Sequence, residues 1–130
     1  MAQFTGLVSS PIIAFIPVMN VAGAREFYQN TLGLRLVEDE LPFALVFDVN
    51  GIMLRVTPVP FHVPAQQTIL GWRVPDIAAA VSALTGAGVQ MQRYDFPQDE
   101  QGVWTAPNGA KVAWFKDPDG NVLSVTQFEP

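Results

Sequence analysis

Short apolar runs and two stretches of helical period alternate along this chain. Ile12 to Ile16 is apolar on both faces and reads as a strand covered on one side and facing a second buried space on the other. Pro17 cannot donate a ladder hydrogen bond, so an edge or a bulge is expected there. Asn20 is a good N-cap, and Val21, Ala24, Phe27, Tyr28 and Leu32 then share one helical face that Gly33 ends. Strands are expected over residues 34–40, 43–49 and 52–57. A proline-rich stretch without period follows. The pattern then starts again: a strand over 68–74, an N-cap at Asp76, a helical face at Ile77, Ala80, Val81 and Leu84, and Gly88 to close it. Strands over 89–95, 111–116 and 121–127 complete the set, with a longer loop over 96–109. Met1 to Ser10 has no clear period and reads as an arm or a short edge piece.

Phe115-Lys116-Asp117-Pro118-Asp119-Gly120-Asn121 joins the last two strands. Pro118 presets a turn, and Gly120 supplies the positive φ of a turn followed by a bulge, so the segment reads as a β-hairpin. It has an earlier echo 69 residues upstream, where Asp48-Val49-Asn50-Gly51 leads into Leu54-Arg55-Val56-Thr57. Two copies of one strand-helix-strand-strand-strand module follow, an α+β arrangement. Module one covers about residues 11–59, residues 60–67 are the linker, and module two covers about 68–128, in a single domain over 1–130.

Strand residues alternate sides. Ile52, Leu54 and Val56 are expected under a helix, as are Leu123 and Val125. Met53, Arg55 and Thr57 then face the other way, with Ser124 and Thr126 in the second copy. By parity or by the shift of 69, the same second face is expected to carry Ile13, Phe15, Phe43, Leu45 and Phe47, and Ile69, Gly71, Arg73 and Trp114. Such a mixture of aromatic, aliphatic and sparse polar groups suits a ligand cleft. A second layer of core, or a subunit interface, would use the same residues.

Composition narrows the choices. The chain has 130 residues, 49% of them hydrophobic and 15% charged, enough for one domain with a real core. A net charge of −5 with scattered cations disfavours nucleic acid as a partner. No apolar run approaches the ~20 residues that span a bilayer. The first cation is Arg25, so no secretory signal is expected and a cytoplasmic location is. There is no cysteine, hence no thiolate chemistry. The sole histidine, His62, sits in the linker, where a solvated side chain is the ordinary reading. Glu38-Asp39-Glu40 cannot converge on one face of a strand. Asp117 to Phe128 lacks the glycine and the glutamate of a calcium loop. Ser124 has no histidine beside it to act as a base. Trp72 reads as core, whereas Trp104 and Trp114 could stack on a planar ligand.

The repeated module, the helix Ala24-Arg25-Glu26-Phe27-Tyr28 leading to Thr31-Leu32-Gly33-Leu34, and the 115–121 hairpin together resemble the vicinal oxygen chelate superfamily. It includes glyoxalase I, bleomycin-resistance proteins and extradiol dioxygenases. The resemblance spans roughly Pro11 to Phe128 and implies two βαβββ modules whose sheets curl around a cleft, often in a homodimer. In enzymes of the superfamily, His, Gln or Glu side chains from the first and last strands of each module hold a divalent metal. The matching positions here are Ile13, Arg55, Ile69 and Ser124, which form no ligand set. The resemblance therefore points to the metal-free binding type, with no catalytic residue, no metal and no cofactor. The expected ligand site is Phe15, Phe47, Met53, Arg55, Trp104, Trp114 and Ser124. Arg55 could reach water along its stem, pair with a carboxylate from a neighbouring strand or loop, or be left for an anionic or carbonyl-bearing ligand, and the last is expected. The alternative is a metal-dependent lyase, isomerase or dioxygenase of the same superfamily.

Overall fold

The computed structural model describes residues 3–129. The first two residues of the expected arm, and Pro130, lie outside them. Residues 3–12 carry only a single turn at Leu7–Ser9 and no strand. Strand β1 (Ile13–Val18) leads into helix α1 (Val21–Arg25), which widens into π-type turns over Glu26–Thr31. The Asn20 side chain accepts the Gly23 N–H at 2.9 Å, capping the helix. Strands β2 (Arg35–Glu40), β3 (Ala44–Val49) and β4 (Ile52–Pro58) follow and form one sheet in the order β1-β4-β3-β2, with β1 parallel to β4.

The second module repeats this plan. Strand β5 (Leu70–Arg73) precedes helix α2 (Ile77–Gly86), whose cap Asp76 accepts the Ala79 N–H at 3.1 Å. Strands β6 (Trp104–Thr105), β7 (Lys111–Lys116) and β8 (Val122–Gln127) complete a sheet in the order β5-β8-β7-β6, with β5 parallel to β8. The fold is α+β with two βαβββ modules.

One strand departs from expectation. Residues 89–95 form no strand. They keep a single bond to the sheet, from Gln92 N–H to Trp114 O at 2.8 Å. The outer strand is β6, inside the stretch expected to be a loop. Side chains replace the missing ladder. Gln98 donates to Gln92 O and Gly102 O and accepts the Tyr94 N–H. Arg93 donates to Asp99 O and Glu100 O.

Both modules bury their helix-side faces in one core. Ile16, Tyr28, Phe47, Leu54 and Val56 join Val81, Phe115, Leu123 and Val125 there. Trp72 belongs to its margin and stacks on Phe115, with ring centroids 6.3 Å apart. The β7–β8 hairpin clasps the modules together. Gly120 sits at φ 87°, and its N–H donates to Asp117 O at 3.0 Å. Asp117, 4% exposed, accepts the Tyr28 hydroxyl at 2.7 Å. The Asn121 amide donates to Pro17 O, and Asp119 accepts the N–H groups of Met19 and Asn20. His62 reaches the same hairpin, its Nε2 lying 2.7 Å from Asn121 Oδ1. His62 is therefore not a solvated linker residue but an anchor.

Candidate functional site

Pairing defines the faces. Val46 lies opposite Arg55 and Asp48 opposite Met53, so these share the face turned away from the helices. Phe47 lies opposite Leu54 and is fully buried against Tyr28, whose ring centroid is 6.2 Å away. Phe47 and Leu45 are thus core residues, which corrects their expected place on the cleft face. The reason lies in the hairpins. Two residues separate Val49 from its partner Ile52, whereas five separate Lys116 from Val122. The odd difference moves the repeat by one position along β3, and a one-residue slip exchanges faces. Val46, not Leu45, corresponds to Trp114.

In the first sheet the outward face carries Ile13, Phe15, Met53 and Arg55. Phe15 is 61% exposed and lies opposite Arg55 across the parallel pair. The Arg55 guanidinium donates to Glu40 Oε1 at 3.0 Å. It has an internal carboxylate partner from β2, so it is not held free for a ligand. This corrects the expectation of an unpaired cation. Asp39, next in the same acidic run, turns instead to Arg25 and accepts the Leu41 N–H. That backbone bond, with Arg25, holds its carboxyl below the ordinary range.

In the second sheet Trp114 lies opposite Ser124, and Trp104 opposite Val112, which places both indoles on the outward face. They do not stand alone. Tyr94 and Phe96 stack at 5.6 Å, Tyr94 meets the Trp114 ring edge-on at 5.4 Å, and Phe96 meets Trp104 at 5.8 Å. Four rings touch in turn and make one continuous wall rather than an open cage. Tyr94 and Phe96 ride on the braced 92–103 segment, so their positions are fixed without a strand. Their alternation at 94 and 96, shortly before Trp104, was a sequence signal for this wall that strand assignment obscured. Burial raises the Tyr94 hydroxyl above its ordinary range, so it remains a donor at neutral pH.

Ser124 sits at the foot of this wall, 5% exposed. Its hydroxyl makes no hydrogen bond among the described residues. Its neighbour across the parallel pair is Gly71, where a Cβ would come within 3.0 Å of the Ser124 Oγ. Glycine leaves that oxygen uncovered on the β5 side. The structure therefore brings Trp104, Trp114 and Ser124 together on the second sheet, and Phe15, Met53 and Arg55 together on the first.

The positions that face outward from the parallel strand pairs test whether a metal fits. In the first sheet they are Ile13, Phe15, Met53 and Arg55; in the second they are Ile69, Gly71, Val122 and Ser124. None offers an imidazole, carboxylate or amide. An offset of two residues along any of the four strands would not repair the set. Among the described residues no three His, Cys, Asp or Glu side chains gather elsewhere to hold an ion. The donor set does not fit a divalent metal.

Paired βαβββ modules, each closing its first strand in parallel on its last, define the class of fold. The chain belongs to the Glyoxalase/Bleomycin resistance protein/Dioxygenase superfamily, whose family model matches residues 11–125. No match was found among curated proteins. Among solved structures, TnmS3, an antibiotic binding protein from Streptomyces sp. CB03234, is 24% identical, with a TM-score of 0.70 over 95% of this chain and 99% of that one. Lactoylglutathione lyase from Agrobacterium tumefaciens is 18% identical, with a TM-score of 0.69 over 91% of this chain and 93% of that one. TioX from Micromonospora sp. ML1 is 15% identical, with a TM-score of 0.68 over 93% of this chain and all, 100%, of that one. Among the described residues no helix is long and apolar enough to cross a membrane.

Proposed function

We propose that this protein is a metal-independent small-molecule binding protein that sequesters or carries an aromatic or amphipathic compound. The observation that carries this reading is the wall of Tyr94, Phe96, Trp104 and Trp114 beside strand pairs without metal donors. A planar ligand stacked on the wall gains area and ring–ring attraction of about 0.5–1.5 kcal/mol per aromatic partner. Ser124 supplies a hydrogen-bonding group at its foot. In this reading no residue is assigned a catalytic role. The same fold serves an antibiotic binding protein in TnmS3, which agrees with the reading without carrying it.

The first sheet contributes through a second copy of the chain. Ile13, Phe15 and Met53 are 48%, 61% and 41% exposed on one face, and nothing among the described residues covers them. A homodimer that sets this face against the aromatic wall of its partner buries both and encloses the ligand. The protein acts in the cytoplasm.

Thermal melts test metal independence. A metal bound only by the native state must raise its stability. Melts with excess Ni²⁺, Zn²⁺, Fe²⁺ or Mn²⁺ should coincide with melts in chelator. Near-stoichiometric metal surviving dialysis would instead favour the lyase, isomerase or dioxygenase reading. Light scattering at micromolar concentration should give the mass of a dimer; a monomer would refute the enclosed site.

A further inference from the structure

With Arg55 already paired to Glu40, the outward faces offer a different cation. Lys116 projects from β7 on the same face as Trp114, two positions on and about 7 Å along the strand. Among the described residues it makes no ion pair. It lines a groove of about 580 Å³ together with Pro64, Gln66, Tyr94, Gly120 and Val122. That volume lies within the range of ligand pockets, about 300–1,000 Å³. Tyr94 belongs to both the groove and the aromatic wall, so the two adjoin. No acidic residue lines the groove. Its polar groups are the Lys116 ammonium, the Tyr94 phenol and the Gln66 amide.

The groove is built rather than incidental. Its far wall is the linker between the modules, and two contacts hold that linker on the β7–β8 hairpin. His62 bonds Asn121 at 2.7 Å. Pro64 packs so closely on Gly120 that a Cβ there would come within 3.3 Å of its ring. Ser124, itself 5% exposed, lies on the same face one alternation beyond Val122. Three donors, Lys116, Tyr94 and Gln66, therefore border the aromatic wall, with no carboxylate among the residues that line the groove.

We propose that this groove reads an anionic group on the ligand: Lys116 and Tyr94 bind a carboxylate, sulfonate or phenolate carried by a planar ring system that lies on Trp114. The inference deepens the binding function proposed above and rests on it. A chain of net charge −5 repels anions in general, so preference for an anionic ligand requires a local cation of this kind.

Two fluorescent probes with the same ring skeleton separate the possibilities: anilinonaphthalene sulfonate, an anion, and phenylnaphthylamine, its neutral counterpart. Each is titrated into the full chain while tryptophan quenching is followed. The sulfonate should bind more tightly than the neutral probe. Lys116→Met keeps the stem and removes the charge. It should weaken the sulfonate by about five- to tenfold, the worth of a charge-assisted bond discounted for solvent exposure, and leave the neutral probe within about twofold. Arg25→Met, which makes the same change of net charge on helix α1 rather than on an outward sheet face, should move neither. Equal loss of sulfonate affinity in both variants, or no loss in Lys116→Met, overturns the inference while binding of the neutral probe leaves the aromatic site standing. If neither probe quenches, both proposals fall.

Discussion

Replacing Tyr28 by phenylalanine removes one oxygen from the clasp between the modules. Tyr28 is fully buried and donates to Asp117 Oδ2 at 2.7 Å, linking the π-type turns after α1 in the first module to the hairpin of the second. A hydrogen bond to a charged acceptor contributes about 1.5–3 kcal/mol. Asp117 retains the N–H groups of Asp119 and Asn121 on one oxygen and the Asn121 amide on the other, each at 2.9 Å. These remaining donors keep the carboxylate solvated by the protein, which places the loss at the lower end, about 1.5–2 kcal/mol. For a chain of this size that is a fall in Tm of roughly 5–8 °C. Urea denaturation followed by tryptophan emission gives the free energy directly, with an unchanged m-value if only stability changes. Arg25→Met, which breaks the exposed pair with Asp39, is the comparison and should cost under about 0.5 kcal/mol. If Tyr28→Phe costs no more than Arg25→Met, the hairpin is not the element that joins the modules.

Three further outcomes follow from the same geometry. The Tyr28 phenol is raised far above its ordinary value, by burial first and then by the Asp117 charge, while the unfolded chain ionises normally. Its contribution is therefore complete below about pH 10 and lost as pH rises beyond it, so urea midpoints should fall across the alkaline range and fall less steeply in Tyr28→Phe; equal slopes would contradict this. Gly120→Ala puts a side chain at φ 87° against the Pro64 ring and should cost about 1–2 kcal/mol in thermal melts, whereas a neutral result would mean that the turn is not constrained. Arg55 and Glu40 side chains are 25% and 36% exposed, so Arg55→Met should change stability by less than about 1 kcal/mol; a loss of several would mark the pair as buried in the working assembly.

Much of the fold was legible because it rests on local chemistry. Asn20 and Asp76 cap their helices, Gly33 and Gly120 take positive φ, and the repeated run into Leu54 and Leu123 marks the last strand of each module. What failed depended on pairing across strands. The shift of 69 is correct for β4 and β8 but not for β3, because the two hairpins differ by an odd number of residues, and Phe47 changed sides with it. Arg55 could be placed on the outward face, but Glu40 as its partner required knowing that β2 ends beside it. The aromatic wall was half visible. Trp104 and Trp114 were recognisable as candidates, while Tyr94 and Phe96 sit on a segment whose order comes from Gln98 and Arg93 rather than from a periodic pattern.

On the proposed reading, the aromatic wall of the second sheet binds a planar compound without metal. Titrating phenylnaphthylamine into protein held in chelator, with Trp114→Leu beside it, tests this most directly. Saturable quenching is expected in the parent chain, and an affinity weaker by about two- to tenfold in the variant, the worth of one lost aromatic partner. Binding that appears only when a divalent metal is restored, or a variant that binds as tightly as the parent, would contradict it.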